Sequence, residues 1–435
     1  MIENGQKNGF LTPLTDRTRT AGQEILAGNR KGVMTYLPFL GPAVIASIAY
    51  MDPGNFATNI QSGAEFGYTL LWVVVAANLI AMLFQSLSAK LGIVTGRSLA
   101  EECRERFPRP IVYFMWIASE IAAMATDLAE VMGGAIGLTL LFHIPLIVSV
   151  SITGVVTYGI LLLQGSGFRP MEIVIGAFVS AISLSYIAEL FIAPPDWASA
   201  AYHSFVPQLA GSGSILLAVG IVGATVMPHA IYLHSSLMKD RMPVRGDADK
   251  KRVLQYSNHE VLIALGIAGA VNMAMVAMSA VVFYSTGHQS VANIETAYHT
   301  LVPLFGLSAA GIFMFSLLAS GFSSSVVGTM AGQTIMQDFV HFKIPLWLRR
   351  LITLIPAFVI VAIGVDTTQA LVWSQVVLSM VLPIPVIALI FLTSRRNVMG
   401  VFANSRLVNI FAFGAGIVVL CLNVLLLVQF AHLSS

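Results

Sequence analysis

Charge is what this chain has least of. Asp, Glu, Lys and Arg make up 10% of its 435 residues, and 57% are hydrophobic. A soluble domain carries about 25% charged residues, so the scarcity excludes an ordinary soluble protein and points to many passages through lipid. The net charge of +2 says little by itself, and no nucleic-acid partner is expected. Cysteine is nearly absent. Cys103 falls in a polar connection and Cys421 in an apolar run, so neither a disulfide framework nor a cysteine metal motif is expected. Residues 1–35 lack an apolar h-region with a cleavage site, which argues against a cleaved signal peptide. They are polar, with Gly, Thr and Asn throughout, and are expected to form a flexible cytoplasmic tail. No His-Glu-x-x-His helix motif occurs, the serine run 323–325 has no base partner at a known spacing, and Tyr50-Met51-Asp52 has no second aspartate motif. An intramembrane hydrolase is therefore set aside.

What is present is a series of apolar runs. A run of about 20 apolar residues crosses a bilayer as a helix. Eleven spans are expected, at 37–61, 68–92, 110–141, 145–163, 171–193, 214–238, 257–286, 302–337, 348–364, 368–393 and 405–431. The fold expected is all-α and integral to the membrane, with residues 36–435 forming one transmembrane domain. All 23 Lys and Arg fall in the tail or in even-numbered connections: Lys7, Arg17, Arg19, Arg30 and Lys31 in the tail; Lys90 to Arg109 in the second; Arg169 in the fourth; Lys239 to Arg252 in the sixth; Lys343, Arg349 and Arg350 in the eighth; Arg395, Arg396 and Arg406 in the tenth. Cationic loops stay in the cytoplasm. The pattern predicts a cytoplasmic N-terminus and, with an odd number of spans, an external C-terminus. The connection 288–300, with His288, Glu295 and His299, is then outside and is expected to be a solvated loop.

The first span is interrupted. Ala49-Tyr50-Met51-Asp52-Pro53-Gly54-Asn55 places a carboxylate, a proline, a glycine and an amide at mid-depth. Pro53 removes a backbone donor, and lipid supplies no replacement for the carbonyls so freed. A charge at that depth costs at least ~2.5 kcal/mol. A cation bound by oxygen meets both needs; a proline kink with a hydrogen-bonded Asp is the structural alternative. The sixth span carries a second interruption, Gly220-Ile221-Val222-Gly223-Ala224-Thr225-Val226-Met227-Pro228-His229. Five spans apart, the two breaks face each other as inverted copies, and such paired interruptions point to a transporter's central site. The repeats are expected at 37–193 and 214–393, with 405–431 as an extra helix.

Glu120, Asp127 and Glu130 share the third span. At 100° per residue Asp127 lies about 20° and Glu130 about 80° from Glu120, so the three share a face. Carboxylates inside a membrane helix commonly mark ion and proton paths. His229 and His234 stand about 140° apart and do not form a metal pair; His229 alone is either a proton-path residue or a hydrogen-bonded bundle histidine. Gln375, Asn78 and Asn272 are polar positions in apolar helices. Gly321-Phe322-Ser323-Ser324-Ser325 and the Gly328–Gly332 spacing read as helix packing, and Met330 as filler.

With both breaks in view, the chain resembles the Nramp family of proton-coupled divalent-metal transporters, and within it the bacterial manganese-transporter branch. The residues that carry the resemblance are Asp52-Pro53-Gly54-Asn55, Met227-Pro228-His229, their flanks Ser47-Ile48-Ala49-Tyr50-Met51 and Gly223-Ala224-Thr225-Val226, and Met124-Ala125-Thr126-Asp127-Leu128-Ala129-Glu130. It extends from about Leu37 past Met399. The resemblance implies a leucine-transporter-type five-plus-five inverted repeat and import of Mn²⁺, with Fe²⁺ and Cd²⁺ as further substrates, coupled to H⁺ by alternating access across the cytoplasmic membrane. No permanently bound cofactor is expected, and nothing demands more than a monomer. Asp52 and Asn55 would supply side-chain oxygens, Ala49 and Ala224 backbone carbonyls, and Met227 a thioether. Gln375 would reach the ion in a more closed state. Asp52, Glu120, Asp127, Glu130 and His229 would form the proton route, tuned by Arg349 and Arg350. Soft sulfur suits transition metals over Mg²⁺ and Ca²⁺, which argues against a related magnesium carrier. A sodium-coupled organic-solute symporter of the same fold presents half-helix N-termini to a substrate carboxylate; an anionic Asp52 beside a thioether suits a bare cation better.

Overall fold

The computed structural model describes residues 12–26, 33–239, 241, 242, 244, 246–288 and 294–433. The tail segments 1–11 and 27–32, the cations Lys7, Arg30, Lys31 and Arg245, and residues 289–293 of the outer connection lie outside the described residues. Among the described residues there is helix and no strand. In chain order the helices are α1 (Thr12–Leu26), α2 (Pro42–Ala49), α3 (Pro53–Phe66), α4 (Leu71–Thr95), α5 (Leu99–Arg106), α6 (Arg109–Phe142), α7 (Leu146–Leu161), α8 (Phe168–Ile192), α9 (Trp197–Phe205), α10 (Ser212–Thr225), α11 (Pro228–Lys239), α12 (Asp247–Ser279), α13 (Ile294–Val340), α14 (Leu346–Ile363), α15 (Thr367–Val381), α16 (Pro383–Ser394), α17 (Arg396–Met399) and α18 (Arg406–Leu433).

Ten helical stretches among the described residues are long and apolar enough to cross a membrane, the broken pairs α10–α11 and α15–α16 each counting once. The pair α2 and α3 is too short in either half to be among them; the expected count of eleven rests on adding that pair. Both expected interruptions are present. α2 ends at Ala49, Asp52 adopts an extended backbone as the N-cap of α3, and Pro53 occupies the first helical position, where its missing N–H is harmless. α10 ends at Thr225, and Pro228 opens α11.

The structure departs from expectation in five places. Within the tail, Thr12–Leu26 is helical, with Ile25 and Leu26 buried; polar composition hid a face that docks on the bundle. The eighth span is longer than 302–337, because α13 starts at Ile294 in the supposed outer loop and turns at Gly306, whose φ of +87° only glycine adopts easily. Ile294, Ala297 and Leu301 are buried along that first stretch. The seventh span begins ten residues early, at Asp247, with Asp247 and Asp249 in its first turn, where acids complement the helix dipole. The tenth span, read as continuous, is α15 and α16 joined at Leu382, because Pro383 and Pro385 follow. The first span starts at Pro42 rather than 37, after a short turn at Val33–Tyr36.

Burial is inverted relative to a soluble protein. Phe191, Leu184, Leu407 and Phe411 face outward, whereas Asp52, Asn55, Glu130, Gln375, Arg349 and Arg350 are buried. An apolar exterior of that extent is what lipid requires. α6 and α13 lie together along the centre. A methyl group added to Gly321 of α13 would fall 2.4 Å from the Gly134 nitrogen and 2.7 Å from its Cα, so here two backbones touch. The Gly328–Gly332 pair has a different use. Added methyl groups there would meet Glu130 Oε2 at 2.3 Å and the Arg349 guanidinium at 1.9 Å. These glycines make room for charged side chains instead of for a neighbouring helix.

Gly321→Ala should force α13 from α6, at an overpacking cost of about 1–3 kcal/mol. A thermal melt of purified protein should show a midpoint several degrees below wild type; an unchanged midpoint would mean that the backbones have slack.

Candidate functional site

The first break leaves carbonyls without helical donors, and the structure shows where they go. Asn272 Nδ2 on α12 donates to the Tyr50 carbonyl at 2.8 Å, and Ser320 Oγ on α13 donates to the Met51 carbonyl at 2.5 Å. Asn59 Nδ2 steadies Asn272 by donating to its Oδ1 at 3.0 Å. Ala49 is followed four residues on by Pro53, and Ala224 by Pro228. Proline has no N–H to give, so these two carbonyls lose the donor that a helix provides. The repeat of one spacing at both breaks is the local reason for a polar centre in an apolar bundle.

The two breaks meet through Asn55. Its backbone N–H and its Nδ2 both donate to Asp52 Oδ1, at 2.9 and 2.6 Å. The same Nδ2 donates to the Ala224 carbonyl at 3.0 Å, and Thr225 Oγ1 donates to Asn55 Oδ1 at 3.3 Å. Met227 lies in the second break and is fully buried. Gln375, on α15, presses its amide on the first break: a methyl group on Gly54 would lie 1.9 Å from Gln375 Nε2 and 2.9 Å from Asp52 Oδ2. Asp52 Oδ2 and Gln375 Oε1 are both buried and accept no hydrogen bond of ordinary geometry. An acceptor left so costs about 1–3 kcal/mol, more when charged. A buried carboxylate oxygen left without a donor at a helix break is what a cation would satisfy. Among the described residues no cluster of three or more His, Cys, Asp and Glu side chains is placed to hold a metal ion. The groups brought together here are a carboxylate, amides and the Ala224 carbonyl.

The acids of α6 gather around two arginines of α14. Arg349 Nη2 lies 2.9 Å from Glu120 Oε2, and Arg350 Nη1 lies 3.5 Å from Asp127 Oδ1. Arg350 also donates to Ser325 Oγ at 2.5 Å, Thr157 Oγ1 at 2.7 Å and Thr329 Oγ1 at 3.3 Å. Ser325 is therefore not simply packing, as the serine run suggested. Asp127 and Glu130 converge on Gly328, where an added methyl would come within 3.1 Å of Asp127 Oδ1 and 2.3 Å of Glu130 Oε2. His229 reaches α6 through Thr126, with Nδ1 3.1 Å from Thr126 Oγ1. His234 turns elsewhere, its Nδ1 2.7 Å from Gln85 Oε1, and Gln85 Nε2 donates to the Tyr50 hydroxyl at 2.5 Å. Asn78 crosses to α12, where its amide lies against Gly269.

Asn272, Ser320, Thr225, Thr126 and Ser325 were not selected from sequence for these contacts. Each is a small polar residue whose partner is a backbone carbonyl or a side chain on another helix. Only the demand that freed carbonyls find donors signals them, and it does not say which helix supplies the donor.

Three comparisons bear on this arrangement. The profile of the family described as "Nramp: Natural resistance-associated macrophage protein-like" matches residues 43–429. The divalent metal cation transporter MntH of Verminephrobacter eiseniae is 59% identical over 415 residues, covering 95% of this chain and 94% of that protein. Its counterpart in Deinococcus radiodurans is 50% identical over 393 residues, 90% of either chain. Among solved structures, the Eremococcus coleocola manganese transporter, crystallised with an aromatic bis-isothiourea compound, superposes with a TM-score of 0.81 at 33% identity, covering 91% of this chain and 87% of that one. Mhp1, a nucleobase-cation-symport-1 family transporter, reaches 0.59 at 14% identity over 89% of this chain and 91% of that one; that likeness is one of fold alone.

Breaking a buried ion pair from one side costs about 3–5 kcal/mol because the other charge stays behind. Arg350→Ala should lower the melting midpoint more than Arg349→Ala does, since Glu120 keeps 18% of its side chain exposed and Asp127 only 1%. Equal losses in the two variants would contradict this ranking.

Proposed function

The chain belongs to the Nramp family, and from that premise we propose that it imports divalent transition metals, Mn²⁺ first and Fe²⁺ and Cd²⁺ among others, coupled to H⁺ by alternating access. It is a transporter, not an enzyme. The observation that carries the reading is the buried, unpartnered Asp52 Oδ2 at a broken helix whose Asn55 reaches the second break, with the Gln375 amide lying against the glycine of that broken helix. In this reading the ion is held by Asp52, Asn55, the Ala49 and Ala224 carbonyls and the Met227 sulfur, with Gln375 joining in a more closed state. The thioether acts as a filter. It is tolerable to Mn²⁺ and Fe²⁺, favourable to Cd²⁺ and poor for Mg²⁺ and Ca²⁺. No cofactor is retained; metal and proton are cargo.

The proton takes a separate course. Asp52 releases it as metal arrives, and Asp127 and Glu130 receive it. His229, joined to α6 through Thr126, stands between the second break and those acids. Glu120, near the cytoplasmic end of α6, passes it inward, and Arg349 and Arg350 hold the row of carboxylates in place. Metal and proton paths thus diverge below the site. The chain sits as a monomer in the cytoplasmic membrane, N-terminus inside and C-terminus outside, as the one-sided placement of Lys and Arg supports.

The test is uptake into proteoliposomes. Met227→Ala should weaken Mn²⁺ and Cd²⁺ transport by about tenfold or more, the equivalent of ~1.4 kcal/mol, and relax exclusion of Ca²⁺. Unchanged discrimination would sink the sulfur filter, and robust Mg²⁺ uptake by wild type would favour the magnesium carrier. Gly54→Ala, which drives a methyl group against Gln375 and Asp52, should abolish calorimetric Mn²⁺ binding while the protein still elutes as a folded monomer. Retained binding would place the ion elsewhere.

A further inference from the structure

Away from the transport path, a cleft at the foot of α8 collects cationic side chains that the proposed mechanism does not use. It is a shallow depression, open to solvent, between α1, the first turn of α8 and the chain after α11. Thr15, Thr18, Arg19, Phe168, Arg169 and Arg241 line it, and among the described residues no acid does. One carboxylate lies behind it. Glu172 accepts from Arg169 Nη1 at 3.0 Å and from Arg241 Nη2 at 3.1 Å, and Arg241 Nη1 pairs with its other oxygen. The next acid, Glu260, is taken up elsewhere, its Oε1 accepting from the N–H groups of Gly41, Ala43 and Val44 at the start of α2. Two guanidiniums are thus gathered around Glu172, and Arg19 lines the same cleft. Two donors remain over: Arg241 Nε and Thr15 Oγ1 are buried without a hydrogen-bond partner, and the Arg241 side chain is only 8% exposed.

We propose that this cleft binds a phosphate group, presented either by the headgroup of an anionic phospholipid or by a free phosphate ion. The planar fork of arginine fits phosphate oxygens bidentately, and the threonine hydroxyls add neutral donors. The apolar ring of Phe168, part-exposed beside Arg169, suits the level where acyl chains meet headgroups. Basic pockets at the cytoplasmic surface commonly hold anionic headgroups. That this surface is the cytoplasmic one rests on the orientation proposed above; binding to the cleft does not. An occupant shares Arg169 and Arg241 with Glu172. Those two side chains also donate to the Leu40 carbonyl, at 2.7 and 3.1 Å, so the cleft adjoins the bonds that hold the start of α2.

The test uses the full chain in detergent, titrated with phosphatidylglycerol, phosphatidylcholine or inorganic phosphate and read by native mass spectrometry, with phosphate binding read by calorimetry. Phosphatidylglycerol should be retained over phosphatidylcholine, and R19Q and T15V should each lower its affinity by about tenfold, as expected for one hydrogen bond to a charged group. R17Q, an exposed position on the same helix, should leave it unchanged. Inorganic phosphate that binds and displaces phosphatidylglycerol confirms a shared phosphate site; phosphate binding without lipid retention assigns the cleft to the free ion. The proposal fails if neither ligand is held better than phosphatidylcholine, or if R17Q costs as much as R19Q, which would mean diffuse surface charge and no built site. None of these readouts depends on metal transport.

Discussion

Two prolines placed four residues after two alanines govern this molecule. Pro53 deprives the Ala49 carbonyl of its helical donor and Pro228 does the same to Ala224, in a medium that offers no water to replace it. Everything polar at the centre answers that deficit. Asn55 bridges Asp52 to the Ala224 carbonyl, Asn272 and Ser320 close the Tyr50 and Met51 carbonyls, and Gln375 lies over Gly54. Oxygens that the protein itself only partly satisfies leave room for an occupant that supplies positive charge, which is the feature the proposed function draws on.

The charges of α6 and α14 follow a related logic. A buried arginine or carboxylate persists in a low-dielectric interior only when paired and hydrogen-bonded. Arg350 meets this with Asp127 and three hydroxyls from α7 and α13. Space for the neighbouring Glu130 and Arg349 comes from α13, whose glycines at 328 and 332 give way to them. The same helix touches α6 backbone to backbone at Gly321. One element therefore fixes the distance between the acid-bearing helix and the bundle and also houses the charges. A hydrogen bond between Thr126 and His229 ties α6 to the second break, and Gly133 of α6 lies against Pro53 of the first.

Much of this was legible beforehand, and the reasons are local. Apolar run length, the one-sided placement of Lys and Arg, and Pro beside Gly inside a span are properties of neighbouring residues. They announced a polytopic helical bundle with two breaks, and those breaks lie where Pro53 and Pro228 put them. The third-span acids share a face because helical geometry requires it. Other features escaped because their cause is distant. α1 is helical although its composition is polar, since its ordering comes from docking. The outer connection continues as the first turns of α13, where Ile294 donates its N–H to Thr368. The glycine pair at 328 and 332 carries the spacing of a helix contact and serves side chains instead.

The sequence by itself determined the class of fold, the positions of the breaks and the kinds of donor atom gathered there, because proline, glycine and buried charge act within a turn or two of where they stand. Tertiary structure decided the partners: which serine closes Met51, which hydroxyls hold Arg350, and that Gln375 from α15 lies on Gly54. A hydrogen bond between helices depends on how two surfaces are rotated and spaced, and that is settled only when all the helices pack together.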